Sequence, residues 1–193
     1  MRENIVRQIE DSINVKKSIL DDRHIVDKIE RVSTMVIEAI KNGNKVIFCG
    51  NGGSAADSQH LAAELIGKFY FNRQSLPAVS LTVNTSIITA IGNDFGFDKV
   101  FARQLEGIGK TGDVLIGLST SGNSENVVEA FKLAKKIGIK TIALTGENGG
   151  ILKDLADILI NVPSNNTPRI QEAHIMIGHI ICELVEKEFV SKG

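Results

Sequence analysis

The chain has little of several residue types, and each shortage excludes a class of protein. Its 193 residues include two cysteines, three prolines and no tryptophan. Cys49 in an apolar strand and Cys182 in an apolar helix are typical of core residues in a reducing compartment. With a net charge of −1, the chain has no excess of positive charge to attract nucleic acid or an anionic membrane. No apolar run approaches the roughly 20 residues that span a bilayer, and the polar start MRENIVRQIEDS is not a secretory signal. We therefore expect a cytoplasmic protein.

The chain is rich in apolar strands that alternate with amphipathic helices. Residues 1–42 are predicted to be helical, with a break at 21–24 and a stop signal in KNGNK, 41–45. Strands are predicted at 45–50, 76–83, 113–119, 140–145 and 157–163, with helices between them and a last helix from about 169 to 190. Ser54 is a plausible N-cap of the helix after the first strand, and the helical segment after the second strand is interrupted around Gly92 to Gly96. Such alternation predicts an α/β fold, a three-layer α/β/α sandwich around a parallel, mostly five-stranded sheet. We expect one domain over 1–193, with 1–42 as a helical extension that packs in an oligomer.

Three of the predicted strands end in unusual loops: GNGGS at 50–54, STSGNS at 119–124 and TGENGG at 145–150. Ligands of open parallel sheets bind beyond the carboxyl ends of the strands. None of the loops matches a nucleotide-binding motif. STSGNS places four hydroxyls before a predicted helix, and hydroxyls with free N–H groups at a helix N-terminus suit a phosphate. The alternative is a polar turn with a serine cap, and the other two loops could be tight turns alone.

A histidine and a glutamate lie one turn apart in the helix after the first strand. His60 and Glu64 share a helix face, so both side chains can reach one metal or one substrate, although an ordinary surface pair is the alternative. On the last helix, Gln171 and His179 lie roughly 80° apart around the axis and can face one site. His174 lies roughly 140° from His179, and we interpret it as structural.

With these residues in view, the chain resembles the sugar isomerase (SIS) family over nearly its whole length. The similarity rests on CGNGGSAADSQHLAAEL, AIGNDFGFDKVFARQ, DVLIGLSTSGNSENV, TIALTG and RIQEAHIMIGHIICELVEKE. STSGNS with RIQE is typical of the whole family, whereas His60, Glu64 and His179 together are typical of its heptose-phosphate isomerases. One departure is Pro168, which stands where relatives have a small or acidic residue. Proline is favoured at the first helical position, so Pro168 could start the last helix.

The resemblance implies a ketose–aldose isomerase that converts sedoheptulose 7-phosphate to D-glycero-D-manno-heptose 7-phosphate through an enediol. This reaction is the first step of bacterial ADP- or GDP-heptose biosynthesis, which serves lipopolysaccharide or another glycan. The acid–base pair that the resemblance implies is Glu64 and His179. The implied ligands of zinc, one ion per subunit, are His60, Glu64, Gln171 and His179. The implied substrate-binding residues are Asn51, Gly52, Gly53, Glu64, Asn93, Asp94, Ser119, Thr120, Ser121, Ser124 and Gln171. The resemblance also implies a homotetramer with sites between subunits, so that His60 and His179 could come from different chains.

Two functions without catalysis are the alternatives. Some SIS proteins of similar length bind the bacterial replication initiator and share the GNG, STSGNS and RIQE segments. They lack the full set that this chain has at Glu64 and His179, which favours an enzyme. Other SIS proteins are sugar-phosphate sensors fused to a DNA-binding module. Residues 1–42 are too short and not basic enough for such a module.

Overall fold

A computed structural model describes residues 1–190 of the chain. Five strands and seven α-helices follow one another in these residues. The helices are Arg2–Asp21 (α1), Arg23–Lys41 (α2), Gly53–Ile66 (α3), Thr85–Phe95 (α4), Val100–Ile108 (α5), Glu125–Ile137 (α6) and Thr167–Phe189 (α7). The strands are Val46–Gly50 (β1), Ala78–Ser80 (β2), Val114–Ser119 (β3), Lys140–Thr145 (β4) and Ile158–Asn161 (β5). The domain predicted over 1–193 ends in three residues, 191–193, that lie outside this described range.

The strands form one parallel sheet in the order β2-β1-β3-β4-β5. Every residue of β1 and β3 is buried, since helices cover both faces of the sheet. One core cluster packs α2, α3 and α7 on one face, and the other packs α5 and α6 on the opposite face. The predicted three-layer α/β/α fold with a parallel sheet is confirmed. Because β1 and β3 are neighbours, the loops GNGGS and STSGNS lie side by side.

The N-terminal helices break where the sequence predicts it. The side chain of Asp22 accepts a hydrogen bond from the N–H of His24 at 2.9 Å and caps the start of α2. α2 buries an apolar stripe, whereas α1 buries only Ile19. Large apolar side chains of α1 stay exposed, among them Ile5, Ile9 and Ile13. The packing of residues 1–42 in an oligomer stays a prediction.

Some boundaries differ from those predicted. The strand predicted at 76–83 spans only Ala78–Ser80, because this edge strand pairs with β1 alone and the chain then turns. In that turn the hydroxyls of Ser80 and Thr82 lie 2.7 Å apart. The segment predicted to be interrupted around Gly92 to Gly96 is helical through Gly92 and ends at Gly96, whose φ is 97°. Within residues 1–190, no helix is both long and apolar enough to cross a membrane.

Candidate active site

The pairing of α3 with α7 brings together three of the predicted site residues. The Nε2 atom of His60 lies 3.0 Å from Oε1 of Glu64 and 3.0 Å from Nε2 of His179. One potential ligand atom from each of the three lies within 4.8 Å of the other two. The expectation that His60 and His179 could come from different chains is corrected, because α3 and α7 pack side by side in one chain.

The two imidazoles of this cluster constrain each other's protonation. Two Nε2 atoms that face each other at 3.0 Å cannot both carry a proton, so one accepts or both bind a common cation. Burial lowers the pKa of His179, the charge of His60 lowers it further, and the Glu64 carboxylate acts in the opposite direction. The cluster therefore favours a neutral His179 with an available lone pair.

The donor set fits a divalent transition metal. Two imidazole nitrogens and one carboxylate oxygen are ligands that zinc prefers, and three protein ligands leave a position open for substrate, as in catalytic zinc sites. Ligand atoms at about 2.0 Å from zinc in a tetrahedron lie about 3.3 Å apart. The two distances of 3.0 Å need only a small expansion to reach this value. His60, Glu64 and His179 are thus the residues that could hold a metal.

Gln171, the fourth predicted ligand, packs against the start of α3. A Cβ atom built on Gly53 would meet Oε1 of Gln171 at 2.6 Å and Nε2 at 2.8 Å. Gly53 therefore leaves room for this amide beside the backbone of the GNGGS turn. Gly52 has a φ of 55°, which favours glycine, and it forms the N-cap position of α3. Ser54, a plausible cap from the sequence, is instead buried inside the first turn.

The GNGGS turn is tied to the neighbouring loop by a pair of amides. The side chains of Asn51 and Asn126 donate to each other's oxygen, both at 2.9 Å. Asn126 lies buried on α6. This reciprocal pair uses the Asn51 side chain within the protein, so Asn51 fixes the position of the turn relative to STSGNS. Asn126 was not predicted from the sequence, because nothing local marks an asparagine whose partner lies 75 residues away.

The STSGNS loop runs from the end of β3 into the N-terminus of α6. The hydroxyls of Ser119 and Ser124 lie 2.9 Å apart, and the Ser121 hydroxyl accepts from the N–H of Asn123 at 3.1 Å. Ser124 occupies the N-cap position of α6 without a side-chain cap. Within residues 1–190, the N–H groups of Ser121, Ser124 and Glu125 have no acceptor. The loop thus offers unpaired donors at a helix N-terminus, the arrangement that binds anions.

The TGENGG segment is the predicted turn, and it also supports this loop. A Cβ on Gly122 would collide with the carbonyl of Gly149, and one on Gly150 would meet the Ser121 carbonyl oxygen at 2.5 Å. Asn123 accepts from the N–H of Ile151 at 2.9 Å. A cavity of about 320 Å³ opens between the two loops. Its lining includes Thr120, Ser121, Asn123, Glu147, Asn148 and Asn165.

Asn93 and Asp94 are the predicted substrate residues that the single chain does not bring into the cluster. They lie exposed near the end of α4, and the Asn93 amide donates to Asp94 at 2.8 Å. Within residues 1–190, α4 has no buried residue and packs mainly on α5 and the adjacent 3₁₀ turn. Their predicted role in substrate binding stays a prediction.

A segment that was not predicted forms a wall beside His179. The ring of Phe69 lies 5.6 Å from the imidazole of His179. Glu186, on α7, accepts from the N–H groups of Phe69, Tyr70 and Phe71 at 2.7, 2.6 and 3.1 Å. Arg73 adds an ion pair with Glu186 at 3.1 Å, and both side chains are 1% exposed. We call these contacts the Glu186 clamp.

His174 has the structural role that the helix geometry predicts. It is fully buried, and its Nε2 lies 3.1 Å from the carbonyl oxygen of Thr145 at the end of β4. Burial lowers the pKa of His174 to about 4, so the ring is neutral near pH 7. It is separate from the cluster formed by His60, Glu64 and His179.

Comparisons with known proteins match the chain over most of its length. A family model described as "SIS domain" matches residues 9–146. The phosphoheptose isomerase of Sulfurimonas denitrificans is 52% identical over 193 residues, which are 100% of this chain and 99% of the relative. That of Clostridium acetobutylicum is 56% identical over 188 residues, 97% of this chain and 96% of the relative.

Solved structures give the same result at the level of the fold. The phosphoheptose isomerase GmhA from Neisseria gonorrhoeae superimposes with a TM-score of 0.91 at 42% identity, covering 96% of this chain and 98% of that chain. A phosphoheptose isomerase from Francisella tularensis gives a TM-score of 0.92 at 36% identity, covering 96% and 97%.

Proposed function

Because the chain belongs to the SIS-domain family, and within it to the phosphoheptose isomerases, we propose that it interconverts sedoheptulose 7-phosphate and D-glycero-D-manno-heptose 7-phosphate. The chain is an aldose–ketose isomerase that acts on a sugar phosphate in heptose biosynthesis. The finer proposal is that the substrate is the seven-carbon sugar phosphate and that the reaction is the first step of ADP- or GDP-heptose formation.

The observation that carries the proposal is the close approach of three side chains. One nitrogen or carboxylate oxygen from each of His60, Glu64 and His179 lies within 4.8 Å of the other two. A ketose-to-aldose conversion moves one proton between C1 and C2 and needs further proton transfers at the two oxygens. Glu64 supplies a carboxylate, and His179 supplies an imidazole whose pKa is lowered by burial. These are two residue types that act as general acids and bases. We assign these two side chains as the acid–base pair of an enediol mechanism.

The proposed resident metal is zinc, held by His60, Glu64 and His179. Gln171, the fourth ligand that the resemblance implies, lies at the start of α3 beside Gly53. Bound there, the ion would polarise the carbonyl of the sugar as a Lewis acid. The chain's own groups orient the substrate. Gly53 and Gln171 lie at the start of α3, and Glu64 and His179 accept and donate the protons. Phe69 covers one side of His179 and limits the access of water to it.

The STSGNS loop is the proposed phosphate site. Its unpaired N–H groups and hydroxyls are neutral donors at the N-terminus of α6, and they suit a phosphate dianion without a lysine or arginine in the loop. The amide pair of Asn51 and Asn126 sets the position of this loop relative to the GNGGS turn. The phosphate would thereby anchor the sugar beside α3.

The acid–base assignment is tested by replacing Glu64 and His179 one at a time with glutamine. Each variant should lose at least about a hundredfold in kcat for sedoheptulose 7-phosphate, the lower end of general acid–base contributions. His24→Gln and Glu183→Gln are matched controls away from the cluster and should keep wild-type turnover. Wild-type turnover by Glu64→Gln or His179→Gln would reject the role assigned to that residue.

The phosphate assignment is tested by the double variant Ser119→Ala with Ser121→Ala. It should raise KM for the phosphorylated sugar, since two hydroxyl donors to the anion are lost. Ser75→Ala, at an exposed loop position, is the control. An unchanged KM in the double variant would remove these hydroxyls from the site.

Because full-length relatives at 52–56% identity are phosphoheptose isomerases, the initiator-binding protein and the sugar-phosphate sensor are no longer alternatives for this chain. The tetramer with sites between subunits, the cytoplasmic location and the single domain over 1–193 stay predictions. They rest on the family and on the sequence.

A further inference from the structure

Four residues of α3 form one stripe along the face that meets α7. Gly53, Asp57, His60 and Glu64 are spaced by four, three and four residues, which places them on the same side of the helix. Both ends of the stripe lie against α7, since Gly53 packs on Gln171 and the far end carries the His60–His179 contact. Asp57 therefore lies in the seam between these contacts, and none of the mechanism described above uses it.

One oxygen of the Asp57 carboxylate lacks a hydrogen-bond donor. Its Oδ2 atom is buried and has no hydrogen-bond partner among residues 1–190. Burial raises the pKa of Asp57, and the charge of His60 lowers it, so His60 is its ionisable neighbour. A buried carboxylate oxygen without a donor costs free energy. A donor within reach would offset that cost.

His60 has one ring nitrogen that can be this donor. Its Nε2 atom faces Glu64 and His179. Within the described chain, Nδ1 of His60 makes no hydrogen bond. Asp57 precedes His60 by three residues, and side chains at this spacing are neighbours on a helix surface. An unpartnered acceptor and an unpartnered donor thus stand one turn apart beside the cluster.

We propose that Asp57 is a positioning residue that accepts a hydrogen bond from Nδ1–H of His60, directly or through one water. That bond would hold the proton on Nδ1 and leave the Nε2 lone pair for the cation that Glu64 and His179 would also bind. Histidines that bind metals commonly donate their second ring N–H to such a partner, which fixes the tautomer and strengthens the ligand. The proposal rests on the proposed function in one respect, since it supposes that His60 is a metal ligand.

The experiment compares Asp57→Ala and Asp57→Asn with the wild-type protein and with Glu38→Gln, a carboxylate control on an exposed part of α2. Zinc affinity is measured by competition with a chromogenic chelator, using Zn²⁺ alone. The tautomer of His60 is read separately at pH 8 by NMR of the metal-free, ¹⁵N-histidine-labelled protein. The chain has four histidines, so His60→Gln assigns the signal.

We expect Asp57→Ala to bind zinc about 10–100-fold more weakly, the usual effect of losing such a partner. The fraction of His60 with its proton on Nδ1 should be lower in Asp57→Ala than in the wild type, because Glu64 beside Nε2 is then the remaining carboxylate acceptor. Asp57→Asn keeps an acceptor oxygen and should recover most of the affinity. The midpoint of thermal unfolding of the metal-free Asp57→Ala protein is measured to establish that this variant is folded.

An Asp57→Ala protein with unchanged zinc affinity would overturn the proposal. A loss of affinity with an unchanged tautomer would also overturn it, since Asp57 would then act by another route. Turnover of sedoheptulose 7-phosphate by the wild type is measured beside these variants. Its absence would contradict the proposed function and leave the tautomer result valid on its own.

Discussion

Replacement of Glu186 by glutamine should destabilise the protein strongly, because the Glu186 clamp is a buried charge with several donors. The side chains of Glu186 and Arg73 are each 1% exposed and form an ion pair at 3.1 Å. The same carboxylate accepts from three consecutive N–H groups of the loop that follows α3, at 2.6–3.1 Å. Glutamine has a similar shape but only one acceptor oxygen, and it leaves Arg73 without its counter-charge.

The expected loss follows from these contacts. Breaking one partner of a buried ion pair costs about 3–5 kcal/mol, since the remaining charge is buried without compensation. Hydrogen bonds to charged groups contribute about 1.5–3 kcal/mol each, but the three N–H groups share one carboxylate and their contributions do not add. We therefore expect the free energy of unfolding to fall by about 3–5 kcal/mol.

Urea denaturation at one fixed protein concentration measures this difference, because an oligomer's apparent stability depends on concentration. Glu183→Gln is the matched control. Glu183 lies on the same helix and pairs with Lys187 at 2.6 Å, but their side chains are 34% and 53% exposed. Such a surface pair contributes at most about 1 kcal/mol. A loss below about 1 kcal/mol in Glu186→Gln, equal to that of the control, would refute the clamp as a source of stability.

Three further outcomes are expected from single positions. Burial alone would raise the pKa of Glu186, but the three N–H donors and Arg73 hold it below its ordinary value. The stability that Glu186 contributes is therefore complete above the pKa of an unfolded glutamate, about 4.3, and is lost as pH falls through the lower pKa of the folded state. Urea titrations of the wild type and of Glu186→Gln at acidic pH would show this loss. Gly53→Ala should displace the flexible Gln171 amide, lowering kcat/KM about tenfold or more while the free energy of unfolding changes by less than about 1 kcal/mol. Gly178→Ala places a Cβ 2.5 Å from the Leu61 side chain and should cost about 1–3 kcal/mol of stability by overpacking, as measured by urea denaturation.

The order of elements could be predicted from the sequence because each depends on a local pattern. The run KTIALT at 140–145 matches β4 to the residue, and all of its residues after Lys140 are buried, as expected for a strand covered on both faces. The break before α2 follows from Asp22, whose side chain caps this helix by accepting a hydrogen bond from the N–H of His24. The pair His60 and Glu64 was likewise visible as one helix turn.

The remaining features of the site depend on contacts between distant segments. Asn51 meets Asn126 across 75 residues, and Glu186 meets the N–H of Phe69 across 117. No periodicity along the chain carries information about such pairs. The strand predicted at 76–83 was too long for a related reason, since only its pairing with β1 determines where it ends. Ser54 was a plausible N-cap by residue type, but the N-cap of α3 is Gly52, two residues earlier.

The most direct test of the proposed isomerase is the turnover of sedoheptulose 7-phosphate by the purified protein, measured as isolated, after treatment with a chelator and after addition of zinc. We predict formation of the manno-heptose 7-phosphate, its loss on chelation and its recovery with zinc. Turnover that is indifferent to the chelator would retain the isomerase and contradict a required metal at His60, Glu64 and His179. No turnover in buffer that contains zinc would contradict the proposed reaction itself.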